Sequence, residues 1–446
     1  MSNSINKHFT PVSLLKFAAP SIIMMILMSL YTITDGIFIS RFVGSNALSS
    51  LNIVFPVLNI AIAIATMLAT GGNAIISKYL GEGRKREANE CMTQFVVITV
   101  SLSIIISIFT LIFLTPISRF LGASDTLLAD CRSYLGTTIL FAPACMLQGL
   151  FQSYLVTAGK PSLGLILTIS AGVTNVVLDY VFIVCLNMGI AGAALATGMG
   201  QCIPAIAGVC FFIFSKSELR FTRFKFRFKE LGQACYNGSS EMVTQLSNAI
   251  VTFLFNIVLM RLAGEHGVAA ITILLYGQFL FNAFYLGLSI GISPIAGFNY
   301  GAKNHKELKN IYKISFIFVA ASSVVMAVAA ILLSTPIMTV FTDDAETFNL
   351  AASGFKLFAI SFLFSGLNIM SSGFFTALSN GKISAIISFC RTLVFISLSL
   401  ILLPEIIGIT GAWIAIPVAE FLTLLVTVPM HLQYFIKSGK RNYFTD

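Results

Sequence analysis

The chain has 446 residues, of which 57% are hydrophobic and only 10% charged, and its mean hydropathy is +0.91. Because an ordinary water-soluble domain carries about a quarter charged side chains, these values exclude a soluble enzyme or binding module as the first interpretation. The formal net charge of +9 is compatible with an anionic partner, so the position of the cations along the chain decides its meaning.

The apolar runs predict twelve membrane-spanning helices. A span needs about 20 apolar residues, and segments such as 42–77, 91–118 and 266–302 contain no Asp, Glu, Lys or Arg. The strands of a membrane barrel would alternate in polarity at every second residue, which these runs do not. We therefore predict an all-α membrane protein with spans that begin near residues 14, 48, 91, 133, 162, 189, 235, 267, 312, 354, 383 and 408.

The basic residues predict the orientation of these spans. With twelve spans both termini lie on one side, and 21 of the 27 Lys and Arg residues fall in the termini and the even-numbered loops, whereas five fall in the odd-numbered loops and Arg391 is inside a span. Short cytoplasmic segments collect Lys and Arg. We expect a multi-pass protein of the cell membrane with both termini in the cytoplasm.

The densest basic segment divides the chain. Residues 216–234 are predicted to link an N-lobe, residues 1–215, to a C-lobe, residues 235–446, and the stretch 221–230 alternates aromatic and basic side chains. Such a stretch suits RNA or anionic lipid headgroups. Its position between two spans favours the membrane, so we expect the bilayer as its partner and no nucleic acid.

The two lobes are related by an internal repeat. Residues 41–44 (RFVG) match 261–264 (RLAG), and Thr115-Pro116 matches Thr335-Pro336, both at an offset of 220. Each repeat holds an even number of spans, so the two lobes have the same orientation. The predicted architecture is two six-helix lobes around a central cleft.

Charged residues inside spans mark candidate sites, because each costs about 2.5 to 3.5 kcal/mol at the bilayer centre. With a rise of about 1.5 Å per residue, Asp35 in span 1, Asp179 in span 5 and Thr197 in span 6 reach similar depth, and Asn175 lies one turn from Asp179. These oxygens suit Na⁺ or protons shared between two buried carboxylates. A hydrogen-bonded structural pair is the alternative, and we favour ion coupling.

The second half has a different set of polar residues. The repeat position of Asp35 holds Phe255, so one lobe alone has the acid cluster, while Arg391 and Glu420 reach similar depth and are predicted to form a structural ion pair. Glu241 is interpreted as an acid near a helix start, with a role in receiving a cationic substrate as the less favoured alternative. Residues that either join helices or line a substrate cavity are Gln245, Asn248, Gln278, Asn282, Asn368 and Met370.

Cysteine and histidine patterns predict no resident cofactor. The eight cysteines contain no C-x-x-C pair, and the four histidines are too scattered for a metal cluster. Six prolines interrupt the spans: Pro20, Pro56, Pro143, Pro204, Pro294 and Pro417. Because Pro20 shares a helix with Asp35, a change of charge at the acid can be expressed as a change in helix bend.

Several motifs are specific in combination: residues 18–21 (AAPS), 34–44 (TDGIFISRFVG), 175–180 (NVVLDY) and 189–197 (GIAGAALAT), together with the six-plus-six repeat. With them the chain resembles the multidrug and toxic compound extrusion (MATE) family, in its bacterial branches, over essentially its whole length. The resemblance implies a V-shaped pair of bundles that exports amphipathic, often cationic compounds in exchange for H⁺ or Na⁺.

The resemblance also implies roles for single residues. Asp35, Asn175, Asp179 and Thr197 stand where the family's N-lobe cation site is found. Tyr31 and Tyr134 are expected in the same network, and Pro20 stands where span 1 bends. Another branch of the family uses an acid deeper in span 7 than Glu241, so a coupling site in the C-lobe does not carry over.

The leading hypothesis is a monomeric, cation-coupled exporter of amphipathic small molecules, with H⁺ or Na⁺ as the coupling ion. The runner-up is a flippase for lipid-linked oligosaccharides, whose anionic pyrophosphate calls for several cations in the cleft. A membrane enzyme is the third class, and the sequence has no nucleophile–base or metal constellation that favours it.

Overall fold

The structure is a computed structural model that describes residues 5–43, 45–215, 217–342, 344–436 and 442–444, without the side chains of 36, 37, 40, 41, 45, 46, 48, 340 and 436. Gly44 of the repeat motif, Lys216 of the linker, and Lys437, Lys440 and Arg441 of the cation distribution lie outside the described residues, as does the side chain of Arg41.

The first six spans form the N-lobe. Their bounds are Pro11–Phe38 (span 1, continued as a π-helix over Ile39–Val43), Ser45–Gly81 (span 2), Lys85–Ile112 (span 3), Leu128–Leu140 with Ala142–Thr157 (span 4), Pro161–Asp179 (span 5, continued as a π-helix over Tyr180–Cys185) and Gly189–Phe214 (span 6).

The C-lobe repeats this order. The helix Phe228–Gly301 holds spans 7 and 8, which are divided at Gly264 by a backbone with φ 59° and ψ −148°. The rest are His305–Leu332 (span 9), Ala345–Phe358 with Ala359–Ser361 and Phe362–Ala377 (span 10), Gly381–Phe389 with the π-helical Cys390–Val394 and Phe395–Ile407 (span 11), and Ile409–His431 (span 12, continued over Leu432–Ile436).

Twelve spans are therefore present in the described part of the chain, as predicted. Ten helices are long and apolar enough to cross a membrane, the bent pair in span 4 adds an eleventh, and the break at Gly264 makes two spans of one helix. Short helices over Leu114–Phe120 and Ser334–Phe341 follow spans 3 and 9. They begin 220 residues apart, so the sequence repeat is also a structural repeat.

Several helices begin before the predicted residue. Span 7 begins at Phe228 instead of 235, so the last part of the predicted linker is helical, and span 10 begins at Ala345 instead of 354. The Asp344 side chain accepts a bond from the Thr347 N–H and caps span 10. Hydropathy marks where a helix enters an apolar environment, whereas caps and polar contacts decide where it begins.

Among the described spans, one is sharply bent, and the bend lies at Pro143. The two halves of span 4 meet at 52°, immediately before this proline. Proline has no N–H to offer the carbonyl four residues earlier, and that carbonyl, on Ile139, accepts a bond from Ser107 Oγ of span 3 at 2.7 Å. The other predicted proline positions, Pro20 among them, lie inside continuous helices.

The helices of the two lobes contact each other along one half of their length. A Cβ atom built on Gly71 of span 2 would lie 1.8 Å from the Ala234 carbonyl oxygen of span 7, and one on Gly301 of span 8 would lie 2.1 Å from that of Lys78. A Cβ atom on Gly291 of span 8 would lie 2.9 Å from the Ala18 Cα atom of span 1. These contacts lie on the side of the bundle that carries the linker, which we call the linker face, and they close the cleft there.

Candidate cation-coupling site

Spans 5 and 6 approach closely beside the predicted site. A Cβ atom on Gly200 of span 6 would lie 2.9 Å from the Ala171 carbonyl oxygen and 3.3 Å from Asn175 Cβ, both on span 5. Only a hydrogen at position 200 permits this approach. It places Thr197, one turn earlier on span 6, against Asn175.

The four predicted oxygen-bearing residues lie together. Asn175 Nδ2 donates to Thr197 Oγ1 at 3.3 Å, and the Thr197 hydroxyl donates to Asp35 Oδ1 at 3.5 Å. The Asp35 and Asp179 carboxyl groups are electrostatic neighbours. Three spans of the N-lobe therefore contribute to one polar cluster, as the depth estimate from the sequence predicted.

The cluster contains acceptors that nothing in the described chain satisfies. Asp179 and Asn175 are each 1% exposed, and both Asp179 carboxylate oxygens and Asn175 Oδ1 are buried without a hydrogen-bond donor. Neither Asp35 nor Asp179 pairs with a basic side chain that the structure describes. Because a buried anion without a partner is costly, this arrangement suits a small cation or protons on the carboxylates.

The two predicted tyrosines border the acids. Tyr31, one turn before Asp35 on span 1, and the buried Tyr134 on span 4 are both within electrostatic reach of Asp35 and Asp179. Cys145 of span 4 lies beside the same tyrosines. Tyr276 on span 8 of the C-lobe is also within electrostatic reach of Asp35. The sequence pattern did not reveal this tyrosine as a neighbour of the site.

A cavity of about 340 Å³ extends from the cluster. Asn175 and Thr197 are among its lining residues, and its other polar lining residues include Gln148, Thr168 and Gln201. Its walls are mostly apolar, and the lining residues Ile169 and Val173 are exposed. This N-lobe cavity was not predicted, because the sequence analysis placed candidate substrate residues in the second half.

The predicted cavity residues of the C-lobe have varied surroundings. Met370 is 1% exposed and packs in the core, and Asn282 is buried and accepts a bond from Ser365 at 3.2 Å. In this conformation neither lines an open cleft, because both side chains are buried. Gln245 and Gln278 are half-buried, and Asn248 is exposed. Glu241 is the fourteenth residue of a helix that begins at Phe228, so the interpretation of Glu241 as an acid near a helix start was wrong. It is half-buried and lies within electrostatic reach of Arg391.

The ion pair predicted in the C-lobe is present. Arg391 Nε donates to Glu420 Oε1 at 2.8 Å, and their side chains are 13% and 2% exposed. Asn368 Nδ2 donates to Glu420 Oε2 at 2.8 Å and to its backbone carbonyl at 2.9 Å, so both carboxylate oxygens are bonded. The π-helical turn Cys390–Val394 carries Arg391. Phe255, the repeat partner of Asp35, is fully buried in the C-lobe core, so the acid cluster belongs to one lobe.

Comparison with known proteins identifies the family. The MatE family profile matches residues 20–181 and 242–401, one segment in each lobe. The chain belongs to the MatE family. Its relatives and structural neighbours in this family are transporters, not enzymes.

Individual relatives are distant but match over the full length. The multidrug export protein MepA of Staphylococcus haemolyticus is 24% identical, over 97% of this chain and 94% of that protein. A crystal structure of MATE in complex with MaL6 matches with a TM-score of 0.92 at 21% identity, over 97% of this chain and 98% of that chain. An outward-facing conformation of a multidrug resistance MATE family transporter matches with a TM-score of 0.91 at the same identity and coverage. These likenesses establish the twelve-helix fold.

Proposed function

We propose that this protein is a secondary transporter that exports amphipathic, often cationic small molecules in antiport with H⁺ or Na⁺. The observation that carries the proposal is the set of unsatisfied oxygens on Asp179 and Asn175 beside Asp35. Such a set gains free energy when a small cation or a proton occupies it, and that gain can be tied to one conformation of the helices.

Alternating access would couple this ion binding to transport. The close packing of span 2 against spans 7 and 8 shuts the linker face, so the coupling ion would reach Asp35 and Asp179 from the opposite side. Ion binding there would favour a conformation that holds the exported compound weakly. Reopening at the linker face would release the ion and admit the next molecule.

The N-lobe cavity is the substrate site that we propose. It adjoins the acid cluster through Asn175 and Thr197, so one compound and one ion can compete for the same region. Its mostly apolar walls with a few polar groups suit amphipathic compounds of varied shape. The relatives called multidrug export proteins support this substrate class.

We also propose a membrane topology and an oligomeric state. The excess of Lys and Arg on the linker face supports a cytoplasmic location for that face and for both termini. A single chain contains both repeats and the complete acid cluster, which supports a monomer in the cell membrane.

A flippase for lipid-linked oligosaccharides is not favoured. A pyrophosphate substrate calls for several unpaired cations, and Arg391, the basic residue that the sequence analysis placed inside a span, is already paired with Glu420.

Efflux from proteoliposomes tests the proposal. We expect an imposed H⁺ or Na⁺ gradient to accelerate efflux of ethidium by the parent protein, and we expect Asp35→Asn and Asp179→Asn to abolish that acceleration. Asp130→Asn, which changes a half-buried acid in the first turn of span 4, is the matched control and should leave it unchanged. Undiminished gradient-driven efflux in both site variants would reject the proposal.

A further inference from the structure

The segment between the lobes is held in a fixed position although it is not helical. Asn89 of span 3 bonds the backbone at one end of the segment, donating to the Glu218 carbonyl at 3.1 Å and accepting from the Arg220 N–H at 3.0 Å. At the other end Gln94 accepts from the Arg227 N–H at 2.9 Å and donates to its carbonyl at 3.1 Å. We call residues 217–227 the docked linker.

The acids around the docked linker are already paired. Glu90 binds Arg86 and Arg227, Glu230 binds Arg227, and Glu218 binds Lys85. The remaining basic residues of this region are exposed and have no acidic partner among the residues that the structure describes. They are Arg220, Arg223, Lys225 and Lys229.

Two exposed aromatic rings lie among these cations. Phe226 is 49% exposed and Phe228 is 78% exposed, and their ring centroids are 4.5 Å apart. Phe214, the last residue of span 6, is 80% exposed. Span 6 ends at Phe214 and span 7 begins at Phe228, so the membrane boundary flanks the docked linker at both ends.

We propose that the docked linker is a binding surface for anionic phospholipid headgroups, formed by Arg220, Arg223, Lys225 and Lys229. Phe226 and Phe228 would lie at the boundary between headgroups and acyl chains, as apolar side chains do in interfacial segments. The unpaired positive charge supplies the attraction, because basic residues beside a span are drawn to anionic lipid. RNA is disfavoured, because both ends of this short segment continue into the bilayer.

Lipid quenching of a tryptophan tests this surface. The chain has one tryptophan, Trp413, which is 2% exposed and therefore gives a constant background. Phe228→Trp keeps an aromatic ring at the surface and adds a reporter. Its fluorescence is measured in bilayers that contain brominated phosphatidylglycerol or brominated phosphatidylcholine at equal mole fraction.

We expect the reporter to prefer the anionic lipid at least fivefold. Replacing the four cations with Gln should bring the preference close to one, since each contributes up to about fivefold. None of these four side chains makes a hydrogen bond within the described structure, so the variant should fold. The matched control removes the same charge from four exposed lysines of the C-lobe: Lys303→Gln, Lys306→Gln, Lys313→Gln and Lys382→Gln.

Three results would overturn the proposal. The first is equal quenching by the two lipids in the reporter protein, and the second is the same loss of preference in the control variant, which would indicate a net-charge effect. The third comes from detergent-solubilised protein with a labelled single-stranded RNA. RNA binding that the four Gln substitutions abolish, without a lipid preference, would assign the surface to nucleic acid.

Discussion

Gly238 in span 7 lies against Met67 in span 2 so closely that a Cβ atom on Gly238 would be 1.9 Å from the Met67 carbonyl oxygen. Real Cβ atoms do not approach a carbonyl oxygen at that distance. The two lobes therefore close the linker face through backbone contact, and any side chain at position 238 must separate them.

Gly238→Ala is expected to shift the conformational equilibrium away from closure of the linker face. The distance between spin labels at Lys85→Cys in the N-lobe and Lys306→Cys in the C-lobe, measured by pulsed electron paramagnetic resonance, should lengthen. Gly232→Ala, on the same helix, is the matched control, because a Cβ atom added there would have nothing within 4 Å. Unchanged distances in Gly238→Ala would show that the packing is not a closed gate.

Thr197→Val should weaken coupling without abolishing transport. It removes the hydroxyl that accepts from Asn175 and donates to Asp35, at a cost of about 1 kcal/mol, or about fivefold in affinity for the coupling ion. The measurement is the ion concentration that gives half-maximal efflux. Thr168→Val is the control, because its hydroxyl lines the same cavity but donates to the Gly164 carbonyl. An equal effect of both changes would contradict the assignment of Thr197.

Gly172→Phe is expected to block binding of the substrate and to leave binding of the coupling ion unchanged. Gly172 lines the N-lobe cavity, and a Cβ atom there has nothing within 4 Å, so a ring can occupy the space without a clash near the backbone. Dye affinity should fall about tenfold or more. Gly149→Phe, also at an open position but outside the lining, should retain it. Normal dye binding in Gly172→Phe would place the substrate elsewhere.

Arg391→Met should destabilise the protein by about 3 kcal/mol or more, because it leaves Glu420 charged and buried. Adding Glu420→Gln should restore at least half of the lost free energy of unfolding, measured by denaturant titration in micelles. The exposed pair Arg261–Glu405, whose side chains are 59% and 62% exposed, is the comparison and should contribute less than about 1 kcal/mol. Full stability of the single Arg391→Met variant would argue against a structural ion pair.

The spans, the repeat and the acid cluster could be predicted because each produces a pattern in the order of the residues along the chain. Long uncharged runs show the spans, the offset of 220 shows the repeat, and Asp35 and Asp179 are rare residues in an apolar sequence. Helix rise alone then brings them to one depth. Helix rise also places Arg391 and Glu420 at similar depth, and the structure shows that they form an ion pair.

The cavity in the N-lobe and the close backbone contacts at glycines could not be predicted. The N-lobe cavity depends on how spans 1, 4, 5 and 6 diverge, and its residues Gln148 and Gln201 are indistinguishable in sequence from polar groups that join helices. Gly200 and Gly238 read as ordinary helix glycines until the opposing backbone is known. The span bends at Pro143, where the freed Ile139 carbonyl accepts a bond from span 3, whereas Pro20 lies in a continuous helix, and the sequence does not distinguish the two prolines.

The most direct test of the central claim is charge displacement in proteoliposomes on a solid-supported membrane after a jump in Na⁺ or H⁺ concentration, with no exported compound present. The account predicts a transient current for one of these ions in the parent protein and in Glu241→Gln, and its loss in Asp35→Asn and Asp179→Asn. Currents of parental size in both aspartate variants would contradict it.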